Sequence, residues 1–161
     1  MSDLTLTGLP SVRTGLLIRT SPERVFEAIV EPSLTTKVWY TTSSGRMEPG
    51  AKLTWTWEMY GGSSEVTVED VEPHRRVRFR WSGYNPDNPT TVEFRCDRRA
   101  DGSTYLQVTE TGFTGDADTV VANVIGSTTG FTFLLCALKA LLEENLELGI
   151  TRDVHPDKWV T

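Results

Sequence analysis

This chain is poor in the residues that do most enzymatic and metal chemistry: two cysteines and two histidines among 161 residues. Cys96 and Cys136 cannot build a disulfide framework and sit at no zinc spacing, so a stapled or metal-dependent domain is excluded. Both thiols are expected to be free and buried, as free cysteines usually are. His74 falls in a turn signal and His155 in the last stretch, neither with an evident serine or cysteine partner, so no nucleophile–base pair is expected. There is no Walker-type loop and no GxGxxG; Gly61-Gly62 and Gly126/Gly130 read as structural glycines rather than phosphate cradles. Neither a metal nor a cofactor is therefore expected.

Long apolar runs are also missing. The longest, Phe133 to Leu138, falls far short of the ~20 residues a bilayer span needs, so no membrane insertion is expected. Met1-Ser2-Asp3-Leu4-Thr5 has neither a basic n-region nor an apolar h-region, which points to a cytoplasmic protein. Positive charge is in deficit: 16 Lys and Arg against 22 Asp and Glu leave a net charge of −6. Nucleic-acid phosphates would be repelled, so no nucleic-acid partner is expected. The run Arg75, Arg76, Arg78, Arg80 does not reverse this, because alternation places its last three members on an outer sheet face, with Glu69 across from Arg78.

What remains is an ordinary globular composition, 38% apolar and 24% charged, at a length that suits one domain. The expected domain is 1–161, with a core over about 12–149 and a tail over 150–161. Val12 to Thr20 reads as a strand. Ser21-Pro22-Glu23-Arg24 starts a helix, with Ser21 as N-cap and Pro22 where its missing N–H is not needed. Pro32 stops that helix, and Ser33 is expected to cap a second short one running towards Trp39.

From Ser43 to Thr111 the period is two. Leu53, Trp55, Trp57 and Met59 alternate with Lys52, Thr54, Thr56 and Glu58. Reading Gly61-Gly62 as a two-residue hairpin turn sets Trp57 opposite Val66, Trp55 opposite Val68, and Glu58 opposite Glu65. The turn Glu72-Pro73-His74-Arg75 sets Val68 against Phe79 and Val66 against Trp81. The turn at Asp101-Gly102 sets Cys96 against Leu106, Phe94 against Val108, and Glu110 against Val92. Each register collects the large apolar residues on one face, and a slip of one residue would turn them to water.

The last third returns to helical period. Asp116 to Ile125 reads as helix or loop, interrupted by Gly126 and Gly130. From Phe131 to Leu148 the helix is clear. Thr132, Lys139, Glu143 and Glu147 lie opposite Leu134, Ala137, Leu138 and Leu141, and Phe131, Leu142 and Leu146 widen the apolar face. Gly149 is the expected C-terminal stop.

This order of elements resembles the START-like, helix-grip superfamily. Thr20-Ser21-Pro22-Glu23-Arg24-Val25-Phe26 is similar to that family's entry into its first helix. Glu48-Pro49-Gly50-Ala51-Lys52-Leu53 resembles its Pro-Gly-Gly turn into the third strand, with Ala51 for the second glycine. The Val68 to Val77 segment resembles its strand–Glu-Pro–strand hairpin, and Thr109-Glu110-Thr111-Gly112-Phe113 the end of its last strand. Within the SRPBCC domain group the chain resembles the activator of 90 kDa heat shock protein ATPase homologue-like family over roughly residues 12 to 156. It departs at the start of the last helix, with Gly130-Phe131 where the family often has tryptophan. The resemblance implies an α+β fold: a curved antiparallel sheet of six to seven strands around a long C-terminal helix, with two short helices after the first strand. It also implies a cavity. Family members include lipid and polyketide binders, aromatase/cyclases and a co-chaperone domain, and fold alone does not choose among them.

The candidate site is the inner face: Trp55, Trp57, Phe79, Trp81, Phe94 and Val108 on the sheet, facing Gly130, Leu134, Ala137, Leu138 and Leu141 on the helix. Ordinary core packing explains any one of these aromatics, but three indoles opposite small helix residues suggest incomplete filling. Trp39, Tyr40 and Phe113 are placed at the mouth. Glu110 and Asn145 are the polar residues that could orient a ligand, or Glu110 could simply lie at a solvated rim. The leading expectation is a binding module for an apolar or amphipathic small molecule (lipid-like, polyketide-like or aromatic). An aromatase/cyclase-like enzyme using Glu110, Tyr40 and Asn145 is the alternative. A chaperone partner, or a homodimer, would use Leu135, Leu142 and Leu146.

Overall fold

The computed structural model describes residues 4–161, so Met1, Ser2 and Asp3, the start of the leader read above, lie outside the described residues. The elements in chain order are β1 (Val12–Ile18), α1 (Pro22–Val30), α2 (Pro32–Thr35), β2 (Thr42–Ser43), β3 (Lys52–Trp57), β4 (Gly62–Glu72), β5 (Arg76–Trp81), β6 (Thr90–Arg98), β7 (Thr104–Thr111), α3 (Ala117–Glu144) and α4 (Ile150–Asp153). The seven strands form one antiparallel sheet in the order β1-β7-β6-β5-β4-β3-β2. Six run as a meander, and β1 closes against β7. The long helix α3 packs across the apolar face, chiefly over β1. This is the helix-grip fold.

Local chemistry explains the early elements. Ser21 caps α1 by accepting from the Arg24 N–H, and Pro22 sits in its first turn. The cap of α2 is Glu31 rather than Ser33: its carboxylate accepts the Ser33 N–H, and Pro32 takes the first helical position. In β4–β5, Val66 faces Trp81 and Val68 faces Phe79. In β6–β7, Phe94 faces Val108, Cys96 faces Leu106 and Val92 faces Glu110. These pairings agree with the sequence registers. Between Val68 and Asp70 the register shifts, so Asp70 takes the place across from Arg78. Glu69 still reaches the Arg78 guanidinium at 4.0 Å.

The β3–β4 hairpin differs from the expected one. Trp57 ends β3 opposite Gly62, Trp55 lies opposite Ser64, and Leu53 opposite Val66. Glu58–Tyr60 form a 3₁₀ turn closed by Gly61 in the left-handed region (φ 64°), so the loop is longer than two residues. The displacement is four residues along β4, an even number, and every side chain therefore keeps its face. The anticipated Glu58–Glu65 pair does not form; Thr54 Oγ1 donates to Glu65 Oε1 instead, at 3.0 Å.

The last helix also differs. It is one continuous rod of 28 residues, Ala117 to Glu144, capped by Asp116, whose side chain accepts the Thr119 N–H. Gly126 and Gly130 do not interrupt it, because burial of Val120, Ser127 and Phe131 on either side outweighs a glycine penalty of about 1 kcal/mol each. It ends at Glu144, not Leu148. Asn145 takes the left-handed cap (φ 53°) with its N–H on the Ala140 and Leu141 carbonyls, while Gly149 starts α4. By length and composition α3 could also cross a bilayer; in this fold it is the central helix over the sheet. Cys96 is buried as expected, but Cys136 is exposed on the outer side of α3.

Candidate functional site

Over most of its length the interface between sheet and α3 is filled. Trp55, Phe79, Phe94 and Val108 are buried on the sheet, and Leu134, Ala137, Leu138 and Leu141 on the helix. These eight residues form core, not pocket wall. Tyr40 belongs with them: it stacks on Trp55 at 4.8 Å and is fully buried, so it is not at a mouth. Burial pushes its phenol up from the usual value. Phe113 is likewise buried, against Tyr84.

Space opens at one end, under the N-terminal half of α3. A cavity of about 350 Å³ is lined by Trp39, Trp57 and Trp81, with Tyr60, Tyr84 and Phe131 completing an aromatic wall. The rest of the lining is small: Gly62, Ser63, Ser64, Gly83, Gly126, Ser127 and Gly130. The volume is at the lower end of the range for small-molecule sites, about 300–1,000 Å³. The three indoles are the half-buried ones and pack on one another, Trp39 lying 6.3 Å from Trp57 and 5.7 Å from Trp81. Two glycines on the helix keep the volume free. A Cβ at Gly130 would meet nothing within 4 Å, and one at Gly126 would touch only the Tyr84 hydroxyl, at 3.5 Å. A larger cleft of about 520 Å³ near the β4–β5 turn is lined by Glu23, His74, Arg75, Asp97 and Arg98, and has no aromatic floor.

Of the residues expected from sequence, the structure thus gathers Trp39, Trp57, Trp81 and Gly130 around one cavity. Tyr60, Tyr84 and Ser127 were missed. Tyr60 is carried by the 3₁₀ turn, and its hydroxyl donates to the Thr151 and Arg152 carbonyls of the C-terminal segment. Tyr84 sits in the β5–β6 loop with its hydroxyl 2.8 Å from Ser127 Oγ. Nothing in a Ser-Gly-Tyr-Asn-Pro stretch signals that it will fold back onto a helix forty residues later.

Glu110 lies on the inner face as counted, but is fully buried rather than at a rim. Its Oε2 accepts from Trp81 Nε1 at 2.8 Å and from Thr90 Oγ1 at 2.5 Å, while Oε1 has no partner among the described residues. Asn145 is exposed at the helix terminus. Fifteen residues beyond Gly130, it is roughly 22 Å down the helix from the cavity. Tyr40, Glu110 and Asn145 therefore do not share a site, and the constellation imagined for a cyclase is not assembled. Leu135 and Leu142 are buried, so of the three leucines expected to make a protein contact only Leu146 is exposed. The outer face of α3 carries Ile125 (61% exposed) and Phe133 (38%) instead.

The model for activator of Hsp90 ATPase homolog 1-like proteins matches residues 19–143, well over half the chain. The chain belongs to that family. No curated protein sequence matches it. Among solved structures it resembles the protein SSP2350 from Staphylococcus saprophyticus, with 25% identity, a TM-score of 0.72, and coverage of 86% of this chain and 96% of that one. The Aha1 dimer from Colwellia psychrerythraea gives 21% identity, a TM-score of 0.69, and 87% and 98% coverage. DynU16, a protein in the dynemicin biosynthetic locus, gives 23% identity and a TM-score of 0.69, with 85% of this chain matched to 48% of that one. The last two likenesses bear on the fold. Together these matches agree with the helix-grip fold described above.

Proposed function

We propose that this protein binds a flat, largely apolar small molecule in the aromatic cavity under the N-terminal half of α3. The observation that carries the reading is the unfilled 350 Å³ bounded by six aromatic side chains, with glycine at the helix positions above it. Removing a ring system from water and placing it against indole faces would drive binding. A ring of aromatic polyketide type fits a wall of this shape better than a long acyl chain, because the deeper groove that a chain would need is occupied by Leu134, Leu138 and Phe94. The role proposed is carriage or sequestration of such a ring.

The test is titration with flavonoid-like aromatics and a fluorescent lipid while tryptophan emission is followed. Saturable quenching by the aromatics is expected, because three indoles form the wall. Gly130→Leu, which fills the space, should abolish it. Absence of saturation with every compound would reject the reading.

A second reading has its own observation. From Thr119 to Leu138 α3 carries no charged residue, although Ile125, Thr129, Phe133 and Cys136 face outwards. That face suits contact with a second copy of the chain. Sedimentation velocity should then show a dimer that Ile125→Glu dissociates; a monomer at all concentrations would dismiss it.

A further inference from the structure

The cavity wall is electrically one-sided. None of the residues lining it is charged, yet Glu110 is buried at the edge of the Trp81 indole, hydrogen-bonded to its ring nitrogen. Among the described residues no Lys, Arg or His forms an ion pair with it. The contacts at Oε2 are both accepted ones, and Oε1 is left without a donor. An indole N–H held by a carboxyl oxygen passes electron density into its ring, which strengthens the negative potential of its π faces. Trp39 and Trp57 add two further faces beside it. At the rim, burial holds the Tyr84 phenol above its usual value.

We propose that the cavity selects a flat ring system bearing a positively charged nitrogen over its neutral and anionic counterparts. The inference rests on the ring-binding reading above and adds the sign of the ligand's charge. It follows from an indole N–H held by a buried acceptor and from a lining with no basic residue, where an anionic amphiphile such as a fatty acid would meet no counter-charge.

Three probes of similar shape separate the cases: the proflavine cation, neutral acridine and acridine carboxylate, titrated calorimetrically at mildly alkaline pH. The cation should bind about tenfold more tightly than acridine, and the carboxylate more weakly than acridine by a similar factor. Glu110→Gln, which keeps an acceptor for Trp81 and Thr90, should bring the cation-to-neutral ratio towards one. Should that variant fail to fold, Ser63→Lys places a positive charge at the exposed rim and should reverse the order of cation and carboxylate. Equal affinities for all three probes, or a preference for the carboxylate, would overturn the charge selection and leave ring binding standing. If none of the three saturates, both fall.

Discussion

Along α3, the stretch from Gly126 to Phe131 and the stretch from Leu134 to Leu142 lie over the same apolar sheet with very different side-chain volumes. In the second stretch Leu134, Leu135, Ala137, Leu138, Leu141 and Leu142 are all buried. In the first, two glycines and Ser127 face three indoles across open space. Helix and sheet are continuous through both, so backbone geometry is not what separates core from cavity. The choice of residue at a few helix positions is. A fold of this kind can therefore move or close its site by substitutions along one helix without altering its architecture.

The largest effect expected from breaking this contrast is in the filled half. Leu138→Ala should lower stability by about 2–5 kcal/mol, because rigid neighbours cannot collapse into the void it leaves. It should leave aromatic binding at the other end intact. Urea unfolding and the tryptophan titration, run on the same variant, check both halves of that statement. Gly130→Leu is its counterpart. It should abolish binding while raising stability by up to about 1 kcal/mol, since a glycine inside a helix is replaced at a position with free space. Were Gly130→Leu destabilising and Leu138→Ala harmless, the division of α3 into a closed and an open half would be wrong.

A smaller effect is expected at the terminus of the closed half. Asn145 adopts a left-handed conformation that a β-branched residue resists, so Asn145→Val should cost about 1–2 kcal/mol. Asn145→Gly should be close to neutral, and neither should change binding, since the residue is far from the cavity. A loss of binding in either variant, with stability unchanged, would return Asn145 to the site from which the structure removes it.

Much of this arrangement was legible in the sequence. Period-two alternation carried the faces of the strands, and the Val68–Phe79, Phe94–Val108 and Val92–Glu110 pairs followed from counting back from turns whose lengths are set by local chemistry. The β3–β4 turn was misjudged for a non-local reason. Tyr60 and Met59 are held by residues some ninety to a hundred positions later, the Tyr60 hydroxyl on Thr151 and Arg152 and the Met59 carbonyl on the Val160 N–H. Facing survived because the error was an even number of residues. Glycine propensity concealed the first half of α3, and with it the roof of the cavity. The three indoles were recognisable as a set. That Trp55 would leave them for the core with Tyr40, while Trp39 joined them, depends on packing across three elements, which no single segment encodes.

The two halves of α3 also differ in how they are fastened to the edge strand β1, and this sets the smallest of the expected effects. The open half is tied by one hydroxyl pair, Thr14 to Thr132 at 2.8 Å. The closed half is tied by ions: Lys139 Nζ donates to the Leu17 carbonyl at 2.8 Å and to Glu143 Oε2 at 2.6 Å, and Glu143 also accepts the Arg19 N–H at 3.0 Å. The Lys139 hydrogen bond is the main cause, with the Arg19 N–H second, that holds the Glu143 carboxyl below its ordinary 4.5. A carboxyl depressed in the folded state contributes stability above its unfolded value and loses it as pH falls through the folded one. The contribution should therefore be present at neutral pH and fade below about pH 4.5. Solvent screening limits it to about 0.5 kcal/mol. Glu143→Gln should accordingly be less stable than the parent by about that much at neutral pH, and the two unfolding midpoints should converge in acid. A difference that persists undiminished well below that range would mean that shape, not charge, fastens the closed half of the helix to β1.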